Sequence, residues 1–179
     1  MPCNVSTLQI PQAIVDELIA HARELAPHEC CGFLAGKEGI VTHLYRVTNV
    51  VALEGAVDAA SFDEAKLAHL GRLSPDERAE VAFVMDSQDM FKAVKDMRKQ
   101  GLDLQVVYHS HPHDPARPSV TDIKIATEWE DNWPKFNLPL PAYLLISLQD
   151  PNRPDVKLYS IQANRVSPAS FTIDTPAVR

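Results

Sequence analysis

Only three cysteines occur in the 179 residues, Cys3 and the adjacent pair Cys30 and Cys31. The count is odd and an ordinary disulfide between neighbours is strained, so a disulfide framework is excluded and a reducing compartment is expected. No apolar run approaches the ~18 residues of a membrane span. Residues 1–6 lack a basic start followed by an apolar stretch, so no secretion signal is expected and a cytoplasmic location follows by default. No Lys/Arg cluster stands out and the formal net charge is −7, which argues against nucleic acid as a partner. Repeats and low-complexity blocks are absent. What remains, 45% hydrophobic and 23% charged, reads as one globular domain able to bury a core without staples. The domain is expected over residues 1–166, with a loosely held tail over 167–179.

Periodicity orders the elements. Residues 11–25 place Ile14, Val15, Leu18, Ile19, Ala22 and Leu25 at helical spacing, with Pro11 in the first turn and Pro27 as the stop. Residues 30–36 read as a short buried strand, and 40–51 as a second strand after a turn at Gly39. Residues 54–80 look like an insertion, with a helix start at Ser74-Pro75-Asp76. A strand is expected at 81–85. A helix at about 87–100 follows, capped by Asp86 or Ser87, with Met90, Phe91, Val94 and Met97 as its buried stripe and Gly101 as its stop. A strand at 102–109, a helix at 120–130, an irregular proline-bearing loop at 131–141 and strands at 142–148 and 156–162 complete the chain. Strands and helices alternate, so the class is α/β or mixed α+β around one main sheet.

The chemistry concentrates in His109-Ser110-His111-Pro112, six residues, then Ser119-Val120-Thr121-Asp122. Alternating strand residues share a face, so His109 and His111 point the same way. Asp122 arrives on the first turn of the following helix. Two imidazoles and one carboxylate form a zinc set that leaves the fourth position open, as a catalytic site requires. Simpler readings exist for each part. Ser119-x-x-Asp122 ahead of Ile123, Ile125 and Ala126 is a capping box in its own right. A histidine at a strand end can be a hydrogen-bonded core or surface residue. The combination at one fixed separation is sharper than either part, and Ser119 can cap the helix and still serve the site.

These residues resemble, position by position, the motif of the JAMM (MPN+ or JAB) metallopeptidases. In that family an upstream glutamate precedes a Cys-Gly and a short apolar strand, and Glu29-Cys30-Cys31-Gly32-Phe33-Leu34-Ala35-Gly36 is similar. The resemblance extends over roughly 10–165 and is to the stand-alone prokaryotic branch. It implies a curled mixed sheet between helices, related to the zinc deaminase fold. It further implies one Zn²⁺ per chain on His109, His111 and Asp122, Glu29 as general base off the metal, and Ser119 as donor to the developing oxyanion. The implied substrate is the C-terminal Gly-Gly tail of a ubiquitin-like or sulfur-carrier protein, lying extended and added as a strand at an exposed edge.

Other readings carry less. His28-Glu29-Cys30-Cys31-Gly32 lacks the second histidine of H-E-x-x-H, and no P-C-x-x-C of a zinc deaminase is present. Cys30 and Cys31 read as small buried residues, and His113 as a surface residue. Trp129, Trp133 and Phe136 are core or groove-lining. Two other functions are open: a non-catalytic MPN scaffold, which usually lacks the metal ligands, and a RadC-like protein, which typically reads His-Asn-His-Pro-Ser-Gly where this chain has Ser110, His113 and Asp114.

Overall fold

A computed structural model describes residues 7–53, 57, 62–136 and 139–174. In chain order the elements are β1 (Leu8–Pro11), α1 (Gln12–Leu25), β2 (Cys31–Lys37), β3 (Ile40–Val47), α2 (Glu64–Leu70), α3 (Pro75–Val81), α4 (Ser87–Gln100), β4 (Asp103–His111), α5 (Val120–Asn132), a 3-10 turn (Trp133–Phe136), β5 (Ala142–Ser147), β6 (Asp155–Gln162), β7 (Arg165–Ala169) and β8 (Phe171–Asp174). All eight strands join one curled sheet in the order β7-β6-β5-β4-β2-β3-β1-β8. It is mixed: β1 runs parallel to β3 and β8, and β4 parallel to β5, while the other neighbours are antiparallel. The expected α/β class and mixed sheet between helices are what the chain adopts.

The strand period of two sorts β4 between two cores. Val106 and Tyr108 enter the core beneath α1, with Leu18, Leu34 and Ile146. Val107 faces the opposite core beneath α4 and α5, with Phe33, Ala93, Ala126 and Leu145. His109 and His111, in step with Val107, therefore emerge on the α4–α5 side. Helices α2 and α3 bring a small third core, Phe62 and Leu70 on Ala79 and Ala82.

Gly32 explains why β2 can lie flat there. A Cβ at that position would collide with the Tyr45 carbonyl and the Tyr108 ring, which is fully buried. Neither a backbone carbonyl nor a packed ring can withdraw. Gly32→Ala is expected to destabilise the fold by about 1–3 kcal/mol through overpacking. Thermal melting should register a fall of about 2–12 °C; an unchanged melting temperature would show that the β2–β4 contact is looser than drawn.

Several expectations are corrected. The chain enters α1 through β1, and Pro11 sits at the N-cap rather than inside the helix. Residues 81–85 form no strand: α3 runs to Val81, and beyond it the chain makes one isolated bridge, Asn49 to Met85. The ladder fails there because the Asn49 side chain, rather than a backbone carbonyl, accepts the Val84 N–H. On α4 the buried residues are Ala93 and Met97, whereas Phe91 is 69% exposed. That helix rests on the sheet by a narrower stripe than its apolar residues suggest. The segment 131–141 is partly regular, since α5 reaches Asn132 and a 3-10 turn follows. The tail expected to be loose from residue 167 instead supplies β7 and β8, the two edges of the sheet. Backbone pairing with β6 and β1 holds it where few side chains are buried. Residues 175–179 lie outside the described residues.

Candidate metal centre

Strand β4 and the first turn of α5 bring three ligand atoms together. His109 Nε2 and His111 Nε2 lie 3.0 Å apart. Asp122 Oδ2 lies 3.3 Å from the first and 3.4 Å from the second. These are the one group of three His, Cys, Asp or Glu side chains among the described residues able to hold a metal ion, with the ligand atoms within 4.8 Å of one another.

Local chemistry aims each ligand. His111 Nδ1 lies 2.9 Å from the Pro115 carbonyl. A carbonyl only accepts, so Nδ1 carries the hydrogen and Nε2 turns its lone pair inward, the orientation metal-binding imidazoles commonly take. Phe83 covers the His109 ring, with centroids 4.7 Å apart. The loop between β4 and α5 is pinned from β5 and β6: Ser147 Oγ donates to the Asp114 carbonyl at 2.6 Å and the Tyr159 hydroxyl to that of Ala116 at 2.5 Å. Ser119 and Asp122 form a reciprocal capping box, with Asp122 Oδ2 accepting from Ser119 N at 2.7 Å and Ser119 Oγ from Asp122 N at 3.1 Å. The capping reading and the ligand reading of Asp122 therefore coexist, because one carboxylate oxygen serves the helix end and faces both imidazoles.

Electrostatics fits a cation. Burial works against charge on both partners, yet His109 and His111 hold the Asp122 carboxyl well below the usual carboxylate range. On His111 burial is outweighed by the hydrogen bond and charge of Asp122, which push its pKa up to about 9. With only protons present, the ionised Asp122 and the protonated His111 therefore form a buried ion pair. A divalent ion takes the same place with two neutral imidazoles and a carboxylate, the donor set of open catalytic zinc sites.

Glu29 approaches from the start of β2, whose Cys31 pairs with His109 across the sheet. It is 7% exposed and stands outside the ligand set. Burial pushes its carboxyl well above the usual range, while the neighbouring His111 charge pulls it back. Its backbone is clamped: Glu29 N donates to Ala79 O at 2.7 Å, and Asn49 Nδ2 to Glu29 O at 3.0 Å. Glu29, His111, Ser119 and Asp122 line one cleft of about 540 Å³, closed on its far side by Phe62, Lys66 and His69 around α2. The segment read as an insertion is therefore a wall of the site.

One positioning residue, Asn49, and the positioning contact of a motif residue, Ser110, escaped the sequence reading. Asn49 also donates to Ala82 O at 3.1 Å and accepts from Val51 N and Val84 N at 3.1 Å each, tying three segments to the base. Ser110, turned away from the histidines, accepts from Cys30 N at 2.8 Å and its own N–H donates to Cys30 O at 3.0 Å. Neither carries a local signal, since each acts on chain far away in sequence. His113 is exposed and contacts Glu80 at 3.0 Å, apart from the ligands. Cys30 and Cys31 are fully buried, and burial pushes the Cys30 thiol up to about 12, so both are packing residues. Trp129 and Trp133 stack at 5.8 Å and line a separate apolar groove of about 470 Å³ between α4 and α5. The Phe136 side chain lies outside the described residues. Among the described residues, the sheet edges β7 and β8 lie three and four strands from β4, so a tail added to either would not lie beside the ligands.

Comparison with known proteins follows the same lines. Residues 11–162 match the family described as prokaryotic homologs of the JAB domain. A CysO-cysteine peptidase of Mycobacterium tuberculosis is 30% identical over 158 residues, 88% of this chain and 85% of that protein. A probable TtuB-protein conjugate cleaving protease of Thermus thermophilus is 31% identical over 119 residues, 66% of this chain and 63% of the protease. The solution structure of protein DSY2949 from Desulfitobacterium hafniense has a TM-score of 0.66 at 29% identity, covering 94% of each chain. No described helix is long and apolar enough to cross a membrane.

Proposed function

The chain belongs to the prokaryotic JAB-domain family and is a JAMM-type hydrolase, and from that premise we propose that it cleaves the amide bond after the C-terminal Gly-Gly of a ubiquitin-like or sulfur-carrier protein. His109, His111 and Asp122 would hold one zinc ion per chain. The observation that carries the reading is the convergence of three ligand atoms at a cleft lined by two of the ligand residues, His111 and Asp122, and by a buried carboxyl outside the ligand set, Glu29. Bound zinc supplies Lewis acidity to a carbonyl and depresses the pKa of water to about 7.

The chain's own groups do the rest. Glu29 takes the proton of the attacking water and returns it to the leaving amine. Its raised pKa suits both steps, because a carboxyl poised nearer neutrality both accepts and releases a proton readily. Asn49 and Ser110 both hold the peptide that joins Glu29 to Cys30, one at Glu29 O and the other at Cys30 N. Ser119 accepts from the Asp122 N–H, so its hydroxyl hydrogen remains to donate to the carbonyl oxygen as negative charge develops there. Two relatives, a CysO-cysteine peptidase and a probable TtuB-protein conjugate cleaving protease, support a protein tail as the acyl half.

A tail residue without a side chain can bring its carbonyl closest to the ligands. A ubiquitin-like protein extended past its Gly-Gly is expected to be cut after the second glycine. Changing that glycine to valine should lower the rate by about 10²-fold, the scale of a 1 Å misplacement of the reacting carbonyl. Mass spectrometry of the digests decides it. Equal cutting of the valine variant, or cuts scattered through an unfolded protein, would mark a general peptidase instead.

A further inference from the structure

The apolar groove between α4 and α5 shares no lining residue with the metal cleft. Met90, Val94 and Met97 of α4 form one wall, and Trp129 and Trp133 the other. Arg98 belongs to the α4 wall and Glu128 to the α5 wall, so the two walls carry opposite charge. Aromatic residues, Met and Arg are the types enriched where proteins meet, and an open apolar surface rimmed by polar groups marks a contact. One turn before Val94 stands Phe91, 69% exposed and the only exposed Phe, Tyr or Trp among the described side chains. Helix residues three apart are neighbours, so Phe91 stands beside the groove without lining it.

We propose that this face is an interface between two copies of the chain related by a two-fold axis, with Phe91 of each copy seated in the groove of the other. A two-fold contact has to be self-complementary. The face meets that demand in shape, because it carries a knob and a hole side by side. The groove, about 470 Å³, is of the size that encloses a small organic group such as a phenyl ring. The face meets the demand in charge as well. A two-fold axis through the groove sets the α4 wall of one copy against the α5 wall of the other, so Arg98 and Glu128 meet across the interface twice. Glu128 also pairs with Lys124 of its own helix at 3.6 Å, a surface pair of the kind that contributes little and is readily exchanged. A different protein would need only the knob or only the hole. Trp133 lies about 16 Å along α5 from Asp122, at 1.5 Å per residue, so both metal clefts stay open in such a pair. A contact of this extent belongs with weak, concentration-dependent interfaces, with a Kd on the order of 10 μM.

Sedimentation velocity of the zinc-loaded 179-residue chain from about 1 μM to about 300 μM tests the idea. Monomer should give way to dimer across that range. The chain's two tryptophans both line the groove, so their emission should change over the same concentrations. Phe91→Ala, at an exposed position, should leave the melting temperature unaltered and raise Kd by about 30-fold or more, the scale of a buried aromatic anchor. Arg98→Glu and Glu128→Arg should each weaken self-association by about tenfold or more, because each sets like charges opposite one another. Mixed together, those two variants should pair again, since each supplies the charge that the other's reversed wall requires. A chain that stays monomeric to about 300 μM overturns the proposal and leaves the groove to a different protein or a small molecule. A dimer that Phe91→Ala leaves unchanged, or charge variants that do not pair when mixed, overturns it equally. None of these outcomes bears on the hydrolase reading, whose residues line the other cleft.

Discussion

Glu29→Gln is expected to keep its metal and lose about 10²- to 10⁴-fold in turnover, the share a general acid–base group contributes. The substitution is isosteric. The contacts that hold position 29, to Ala79 and Asn49, use its backbone and survive the change. None of the three ligand atoms belongs to it. The fold should not suffer either. Burial raises the folded pKa of Glu29 above 4.5, so the native state prefers the protonated form and the ionised carboxyl lowers stability as pH rises past that value. A neutral amide removes that penalty. Elemental analysis beside kcat separates the outcomes: a variant hydrolysing substrate at the parent rate makes Glu29 a structural residue.

The second large effect concerns the ligands. His111→Ala should lower zinc affinity by more than the roughly 10–100-fold that loss of a supporting hydrogen-bond partner costs, leaving purified protein without stoichiometric metal and without activity. The same site has a signed pH dependence. In the metal-free protein the folded pKa of His111 is raised from 6.5 to about 9. Its charge on Asp122 therefore contributes stability that is complete below pH 6.5 and is lost as pH rises through about 9. Zinc displaces that proton, so its binding strengthens over the same window. Chelated protein should melt lower, and zinc should raise the melting temperature further, at the upper end of the window than at the lower. A zinc-induced shift that does not grow with pH, or full metal content in His111→Ala, would remove these residues from the ligand set.

Sequence alone went far where the signal was local. The 3.6 period of Ile14, Val15, Leu18 and Ala22 defined α1, and those residues are buried. Ser119 and Asp122 marked the start of α5 to the residue. Asp86 and Gly101 bounded α4, the latter in the left-handed conformation at φ 66°. The two-residue period put His109 and His111 on one face, and Asp122 followed from spacing along the same stretch. Each of these rests on backbone geometry that repeats within a few residues, so neighbours in sequence suffice to read it.

Long-range pairing decided the remainder. Position 29 lies 80 residues before His109 in the chain, and only the antiparallel register of β2 on β4, Cys31 opposite His109, sets it at the cleft. A family motif could name Glu29, but not the Asn49 and Ser110 contacts that hold it. Phe91 and Val94 matched a helical stripe and are exposed, because the stripe a helix buries depends on what it packs against. Strands β1, β7 and β8 are short and weakly patterned, and they exist through backbone bonds to neighbours already in the sheet. Periodicity is written along the chain. Which strands meet, and which wall faces a cleft, is settled by the loop entropy and buried area of the whole arrangement.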